Sequence, residues 1–234
     1  RDGYNHIYKF DYKGNEMQLT KGEWDVIEFI GYDESKQKIY FSSSMKGATQ
    51  KHLHSVDLSG NIKTLDDTQG HHSADFSANF SYRIHNHSDA NTPPIYTLID
   101  RKGRYIRTLK NNESLRNKLS EYNYSKKEFF TFTNSHGTEL NCWKILPPDF
   151  DAIKEYPVYV AIYGGPGVNT VTDSWGGSNL MWHQYLAQEG YIVVSVDPRG
   201  TPLRGRKFEH STYKELGKLE TEDFIDFAKY LGDQ

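Results

Sequence analysis

A tyrosine followed by three glycines within four residues is the stretch of this sequence best suited to chemistry. The stretch reads Tyr163-Gly164-Gly165-Pro166-Gly167 and follows a short apolar run at residues 158–162. Glycine lets a ligand approach the main chain closely, and the tyrosine phenol is a hydrogen-bond donor. A donor held where negative charge develops on a carbonyl oxygen stabilises the tetrahedral intermediate of acyl transfer. We therefore treat this stretch as a candidate site, with Tyr163 as its hydrogen-bond donor.

The element that must position this loop is the apolar run before it. Pro157 is compatible with the start of a strand, and residues 158–162 have the pattern of a buried parallel strand. In an open α/β sheet, the loop at the carboxyl end of such a strand borders the ligand crevice. The α/β-hydrolases carry an H-G-G-type signature in the loop that builds their oxyanion hole. Tyr163 stands where that signature has His.

The matching nucleophile is missing from this sequence. A G-x-S-x-G elbow would carry it, and the nearest stretch, Gly176-Gly177-Ser178-Asn179-Leu180, lacks the final glycine. Both ends of the chain look cut, since it begins at Arg1 and stops soon after a predicted helix. We therefore expect the catalytic nucleophile, acid and base to lie outside these 234 residues, and the chain alone to be inactive.

Composition excludes some classes of partner. The net charge is −3, with basic and acidic residues interspersed, so the sequence offers no basic patch for nucleic acid. Cys142 is the single cysteine and has no partner for an internal disulfide. No apolar run approaches the roughly 18 residues that a membrane-spanning helix needs.

The first hundred residues contain a repeated hairpin pattern. In three segments an Asp stands three positions before a Gly, after an alternating run, at residues 7–14, 53–60 and 96–103. The intervals between these glycines are close to the ~40–45 residues of a four-stranded propeller blade. Other runs at residues 38–42 and 80–85 supply further strands. The pattern predicts that residues 1–115 are the C-terminal blades of a β-propeller, whose earlier blades precede Arg1.

The remaining sequence alternates strands and helices. It begins with a polar linker at residues 111–125 and a predicted hairpin at residues 127–146, with its turn at residues 134–137. A strand is predicted at residues 191–196, between helices at residues 179–188 and 220–231. This order is typical of a parallel α/β sheet. We assign residues 116–234 to the N-terminal portion of an α/β-hydrolase catalytic domain.

Other polar residues receive a structural interpretation. Asp197 and Arg199 flank a tight turn and are expected to hold it by hydrogen bonds. The acidic residues that open the last helix favour its dipole, and they are Glu220, Glu222 and Asp223.

Histidines occur in close pairs, and two residues at i and i+2 of a strand share a face. The pairs are His52 and His54, His71 and His72, and His85 and His87. We expect these side chains to be solvated polar residues at the strand edges, and no third ligand such as a nearby Cys follows them. We therefore predict neither a metal site nor a cofactor.

Several motifs in this order resemble a known family. They are the strand at residues 143–148 with its I-L-P-P, the Y-G-G-P-G loop, and V-D-P-R-G-T at residues 196–201 followed by R-G-R-K-F at residues 204–208. These motifs follow the propeller-like repeats in the sequence. Together they resemble the prolyl oligopeptidase clan of serine peptidases, and within it the dipeptidyl peptidase IV family.

The resemblance implies a propeller capping a hydrolase domain that releases dipeptides from peptides with a free N-terminus, preferring Pro or Ala at the second position. It also implies a Ser, Asp and His triad, the oxyanion role of Tyr163, a homodimer and an extracytoplasmic location. Two alternatives stay open. One is an acylaminoacyl peptidase or oligopeptidase of the same clan, and the other is a non-catalytic binding protein with the same domains.

Overall fold

The computed structural model describes residues 2–234, so Arg1, where the first predicted unit begins, lies outside the described residues. The first half contains a two-stranded and two four-stranded antiparallel sheets, each four-stranded sheet ordered as in the sequence. The two-stranded sheet consists of β1 (Tyr8–Phe10) and β2 (Glu16–Gln18). The next consists of β3 (Val26–Asp33), β4 (Lys38–Ser43), β5 (His52–Asp57) and β6 (Ile62–Thr64). The last consists of β7 (His71–Phe76), β8 (Tyr82–Ser88), β9 (Ile95–Asp100) and β10 (Tyr105–Lys110).

The repeated Asp-x-x-Gly pattern closes its hairpins by one kind of turn, as at Asp57. Its carboxylate accepts backbone N–H groups of Ser59 at 2.9 Å and Asn61 at 3.0 Å, and Gly60 has a φ of 90°. Such a positive φ is open to glycine at little cost. The same bonds recur at Asp11, Asp100 and Asn134. The predicted hairpin repeat is confirmed, and a further copy lies in the hairpin after the linker.

The second half is built on a four-stranded mixed sheet with helices. Its strands are β11 (Lys127–Thr133), β12 (Glu139–Ile145), β13 (Val158–Val160) and β14 (Ile192–Val196), in the order β11-β12-β14-β13. Its helices are α2 (Gly177–Gln188), α3 (Arg206–Glu209) and α4 (Leu219–Gly232). Strands β13 and β14 are parallel, and the β11–β12 hairpin joins β14 antiparallel.

Both faces of this sheet are covered by apolar side chains. Neighbouring residues on a strand point to opposite faces, so one strand can contribute to the packing on both. Cys142 and Val194 pack in a cluster with Phe227 of α4. The adjacent Trp143 and Val193 pack in a second cluster, with helix α2. Apolar clusters on both faces are what an α/β sheet requires. Across residues 2–234, no helix is both long and apolar enough to cross a membrane.

One expectation about local structure, the burial of the strand before the Gly-rich loop, was wrong. Strand β13 is not buried, since Val158, Tyr159 and Val160 are each 38–40% exposed. The reason is its position at the sheet edge, where β14 is its one partner among the described strands. The predicted linker contains a helix, α1 (Glu113–Ser120), which has no buried residue.

Buried carboxylates connect the two halves of the chain. Asp173 accepts a hydrogen bond from the backbone N–H of Ala90 at 2.9 Å and from the amide of Gln50 at 2.9 Å. Asp25 similarly accepts a hydrogen bond from the backbone N–H of Gly205 at 3.1 Å. These bonds attach the segments around the mixed sheet to the antiparallel sheets.

Replacing Asp173 with Asn should destabilise the fold by about 1–3 kcal/mol. The substitution turns one carboxylate oxygen into an NH₂ group, which then faces the N–H of Ala90 or the amide of Gln50 instead of accepting a hydrogen bond from it. Urea denaturation of the wild type and the variant measures the change. The matched control is Asp75→Asn, since Asp75 is exposed, and its effect should stay within about 0.5 kcal/mol. Equal effects of the two substitutions would show that Asp173 does not connect the halves.

Candidate active-site loop

The loop after β13 presents Tyr163 to solvent. The backbone N–H of Ala161 donates to the Val194 carbonyl at 2.8 Å, which continues the parallel pairing by one residue before the chain turns away. Tyr163 is 61% exposed, and among residues 2–234 no hydrogen-bond partner is found for its hydroxyl. The phenol is therefore free to donate to a ligand at this edge of the sheet.

Two glycines give the loop its shape. Gly164 has a φ of 76°, a backbone conformation that other residues rarely adopt. At Gly165 a Cβ atom would lie 3.3 Å from the Tyr163 ring, closer than ordinary packing. These residues let the chain reverse and let the tyrosine ring lie over the main chain.

The far side of the loop is anchored on Asp197. Its carboxylate accepts the backbone N–H of Thr170 at 2.7 Å, the Thr170 hydroxyl at 2.8 Å, the Val171 N–H at 3.2 Å and the Asn169 amide at 3.2 Å. Burial raises the pKa of Asp197, although the bonds from Thr170 oppose that shift. Asp197 thus fixes the Gly-rich loop, whereas the sequence predicted only that it holds its own turn.

A second anchor comes from the sheet itself. The indole N–H of Trp143 donates to the Thr170 carbonyl at 3.0 Å, and the Thr170 and Ser195 hydroxyls are 2.9 Å apart. Val171, next to Thr170, is fully buried. The loop is therefore fixed at residues 169–171 and leaves Tyr163 at its exposed end.

Arg199 connects the turn after β14 to helix α4. Its guanidinium contacts both oxygens of Asp223, with Nε at 3.0 and 3.1 Å, and lies 3.2 Å from Glu222. Asp223 is fully buried and also accepts the Asn134 amide at 2.6 Å. The expectation that Asp223 serves the helix dipole was therefore incomplete, because its carboxylate joins three segments of the chain. Glu220 accepts the backbone N–H of Gly217 at 3.0 Å, as a residue near a helix start does.

Lys127, the first residue of β11, is buried, with its ammonium 4.7 Å from the centre of the Trp143 ring. Burial lowers the pKa of Lys127 from 10.5 to about 8. The folded protein therefore releases this proton at a lower pH than the unfolded chain does.

The free energy of unfolding should consequently rise by roughly 2–3 kcal/mol between pH 8 and pH 10.5. In that interval the unfolded state binds more protons than the folded state, so a higher pH favours folding. Urea denaturation at pH 7.5 and pH 10 measures this difference, and Lys127→Met should lack the rise. The same pH dependence in both proteins would refute the assignment.

Four of the six paired histidines are buried, and His71 and His87 are half-buried, which corrects the expectation that these side chains are solvated at the strand edges. His52, His54 and His72 are each no more than 1% exposed, and His85 is 7% exposed. Burial lowers the pKa of His54 and of His85 to about 4. His52 and His72 lie beside Asp66, a carboxylate that sequence reasoning missed as a potential third ligand. Nothing in the spacing of Asp66 marked it, since it reaches the histidines only through sheet packing.

Comparisons with known proteins agree with the motifs. The model of the dipeptidyl peptidase IV N-terminal region matches residues 1–94, and that of the prolyl oligopeptidase family matches residues 178–234. The chain is 36% identical over 238 residues to dipeptidyl peptidase 4 of Trichophyton equinum, covering 98% of this chain and 30% of that protein. It is 35% identical over 238 residues to dipeptidyl peptidase 4 of Arthroderma otae, again covering 98% and 30%.

Two solved structures have the same fold over this region. The crystal structure of Porphyromonas gingivalis dipeptidyl peptidase 4 matches with a TM-score of 0.93 and 35% identity, covering 99% of this chain and 33% of that one. A putative dipeptidyl aminopeptidase IV from Bacteroides ovatus matches with a TM-score of 0.86 and 28% identity, covering 100% and 36%. The chain thus spans about a third of these relatives. It belongs to the dipeptidyl peptidase IV family, within the prolyl oligopeptidase family.

Proposed function

We propose that the intact protein is a serine exopeptidase that releases dipeptides from the free N-termini of peptides, with a preference for Pro or Ala at the second position. One observation carries the proposal, namely the phenol of Tyr163, which has no hydrogen-bond partner within residues 2–234 and lies on a glycine loop that Asp197 anchors at the end of a parallel strand. Relatives named dipeptidyl peptidase 4 support the reaction class.

In this proposal the two antiparallel four-stranded sheets are blades of a β-propeller, within residues 1–115. The mixed sheet belongs to an α/β-hydrolase domain that starts at residue 116. The four-stranded order of each antiparallel sheet supports the first assignment, and the helices on both faces of the mixed sheet support the second. A propeller over the hydrolase would restrict access to peptide ends and short peptides.

Catalysis then follows the acyl-transfer scheme of serine hydrolases. A serine attacks the peptide carbonyl, and Tyr163 donates its hydroxyl hydrogen to the oxygen that becomes negatively charged. The second donor is the backbone N–H that follows the serine. Since these residues contain no G-x-S-x-G, they supply the oxyanion donor only, and taken alone they are inactive.

The preference at the second position is tested with a series of chromogenic dipeptide amides on the intact protein. We expect kcat/KM to be highest for Gly-Pro and Ala-Ala amides and much lower for Gly-Leu and Gly-Gly amides. A protein that hydrolyses all four equally would contradict the proposed specificity. A fluorophosphonate reagent gives an independent readout, because an active serine is labelled and a binding protein without a reactive serine is not.

The location outside the cytoplasm and the homodimer remain proposals that rest on the family resemblance. Cell fractionation and analytical ultracentrifugation of the intact protein test them. Recovery with cytoplasmic markers would contradict the first proposal, and a monomer at micromolar concentration would contradict the second.

A further inference from the structure

A buried cluster of metal-ligating side chains lies between the two antiparallel four-stranded sheets. It contains His52 of β5, Asp66 after β6 and His72 of β7, whose side chains are only 0%, 1% and 2% exposed. One ligand atom from each of the three lies within 4.8 Å of the others. Strand β5 belongs to one sheet and β7 to the next, so the cluster joins two units that are otherwise built from separate hairpins.

The hydrogen bonds of His72 fix which of its nitrogens faces the cluster. Its Nε2 lies 3.0 Å from the Thr68 carbonyl, an acceptor, so Nε2 carries the hydrogen. In the neutral ring Nδ1 then has the lone pair, and it lies 3.9 Å from the Asp66 carboxylate. A ligating histidine is typically oriented by donating its other N–H to a backbone carbonyl in this way.

The carboxylate of Asp66 is also oriented by hydrogen bonds. One of its oxygens accepts the backbone N–H of Leu53 at 2.7 Å, and the other contacts His52 Nδ1. The remaining nitrogen of His52, Nε2, is buried without a hydrogen-bond partner among residues 2–234. The three side chains are therefore fixed in place, and one of them has an unsatisfied nitrogen.

A cavity of about 460 Å³ gives the cluster access to small solutes. Asp66, His72 and His85 line it, together with Asp67 and His87. His85 Nε2 lies 2.9 Å from His72 Nδ1, on the cavity side of the cluster. An ion that enters the cavity thus meets Asp66 and His72 first and has His85 beside them.

We propose that His52, Asp66 and His72 bind a divalent transition-metal ion of the zinc class, with His85 or water in the fourth position. Two imidazoles and one carboxylate match the preference of Zn²⁺ for nitrogen and oxygen in a tetrahedral site. Calcium and magnesium prefer sets composed of oxygen ligands alone. The ion then holds the two sheets together.

The site is tested by metal content. The intact protein is stripped with EDTA, equilibrated with Zn²⁺, dialysed and measured by elemental mass spectrometry. We expect the zinc content of the wild type to exceed that of the His72→Ala variant and that of the Asp66→Asn variant by one ion per chain. The matched control is His71→Ala, since successive strand residues point to opposite faces, and it should retain zinc as the wild type does. Equal zinc in the wild type and in both cluster variants would overturn the proposal.

A second measurement stays informative if a cluster variant fails to fold. Zn²⁺ at a large excess over its Kd should raise the Tm of the wild type by a few degrees, because the ion binds only the folded protein. Mg²⁺ at the same concentration should leave the Tm unchanged. A Tm that does not respond to Zn²⁺, or that responds equally to Mg²⁺, would show that the cluster is only a hydrogen-bonded one.

Discussion

Replacing Tyr163 with Phe should lower kcat of the intact protein by ~10²–10³ and leave KM little changed. The substitution removes only the hydroxyl of a residue that is 61% exposed. A donor that stabilises the oxyanion acts more strongly on the transition state than on the bound substrate, so its loss appears in kcat. Steady-state kinetics on a Gly-Pro chromogenic amide measures both constants.

The matched control is Tyr122→Phe, because Tyr122 is 62% exposed and lies in the segment that follows α1. It should leave kcat unaltered. A Tyr163→Phe protein that has native circular dichroism and the kcat of the wild type would refute the oxyanion role. An equal loss in both variants would indicate a general effect of removing a tyrosine hydroxyl.

The Asp197→Asn variant should lose both stability and activity. Its amide offers one acceptor oxygen to the donors of Asn169, Thr170 and Val171, and its NH₂ group faces some of them. Leaving buried donors unpaired costs about 1–3 kcal/mol. The loop then moves relative to the sheet, and a misplacement of about 1 Å near a reacting centre can lower the rate ~10²-fold.

Thermal denaturation and kcat on the same preparation test this prediction. The exposed Asp149 provides the control, and Asp149→Asn should change neither quantity. An Asp197→Asn protein with unchanged Tm and kcat would show that the loop does not depend on its anchor. A loss of activity with unchanged Tm would instead assign Asp197 a part in the chemistry itself.

The parts of the fold that could be predicted are those that local residues determine. The Asp-x-x-Gly hairpins could be recognised because one carboxylate and one glycine build the whole turn, as at Asp57 and Gly60. The helices α2 and α4 were predicted within a few residues from their apolar spacing. The burial of β13 could not be predicted, because it depends on which strands lie beside it in the sheet.

In the candidate site, too, the features that local residues determine could be predicted, and the long-range contacts could not. The loop at Tyr163 was identified from adjacent glycines, and its catalytic role stays a prediction. The anchor at Asp197 could not be assigned to the loop, since the contacting residues, such as Thr170, lie in another segment. Asp66 reaches His52 and His72 only when two sheets pack together, so no short pattern contains all three residues. Long-range contacts of this kind require the folded structure.

The most direct test of the central claim is the hydrolysis of a Gly-Pro chromogenic amide by the intact protein, beside the same amide with an acetylated N-terminus. A dipeptidyl peptidase must recognise the free amino group, so we expect cleavage of the free substrate and none of the blocked one. Cleavage of the blocked substrate would contradict the account and indicate an oligopeptidase or acylaminoacyl peptidase, and cleavage of neither would indicate a binding protein.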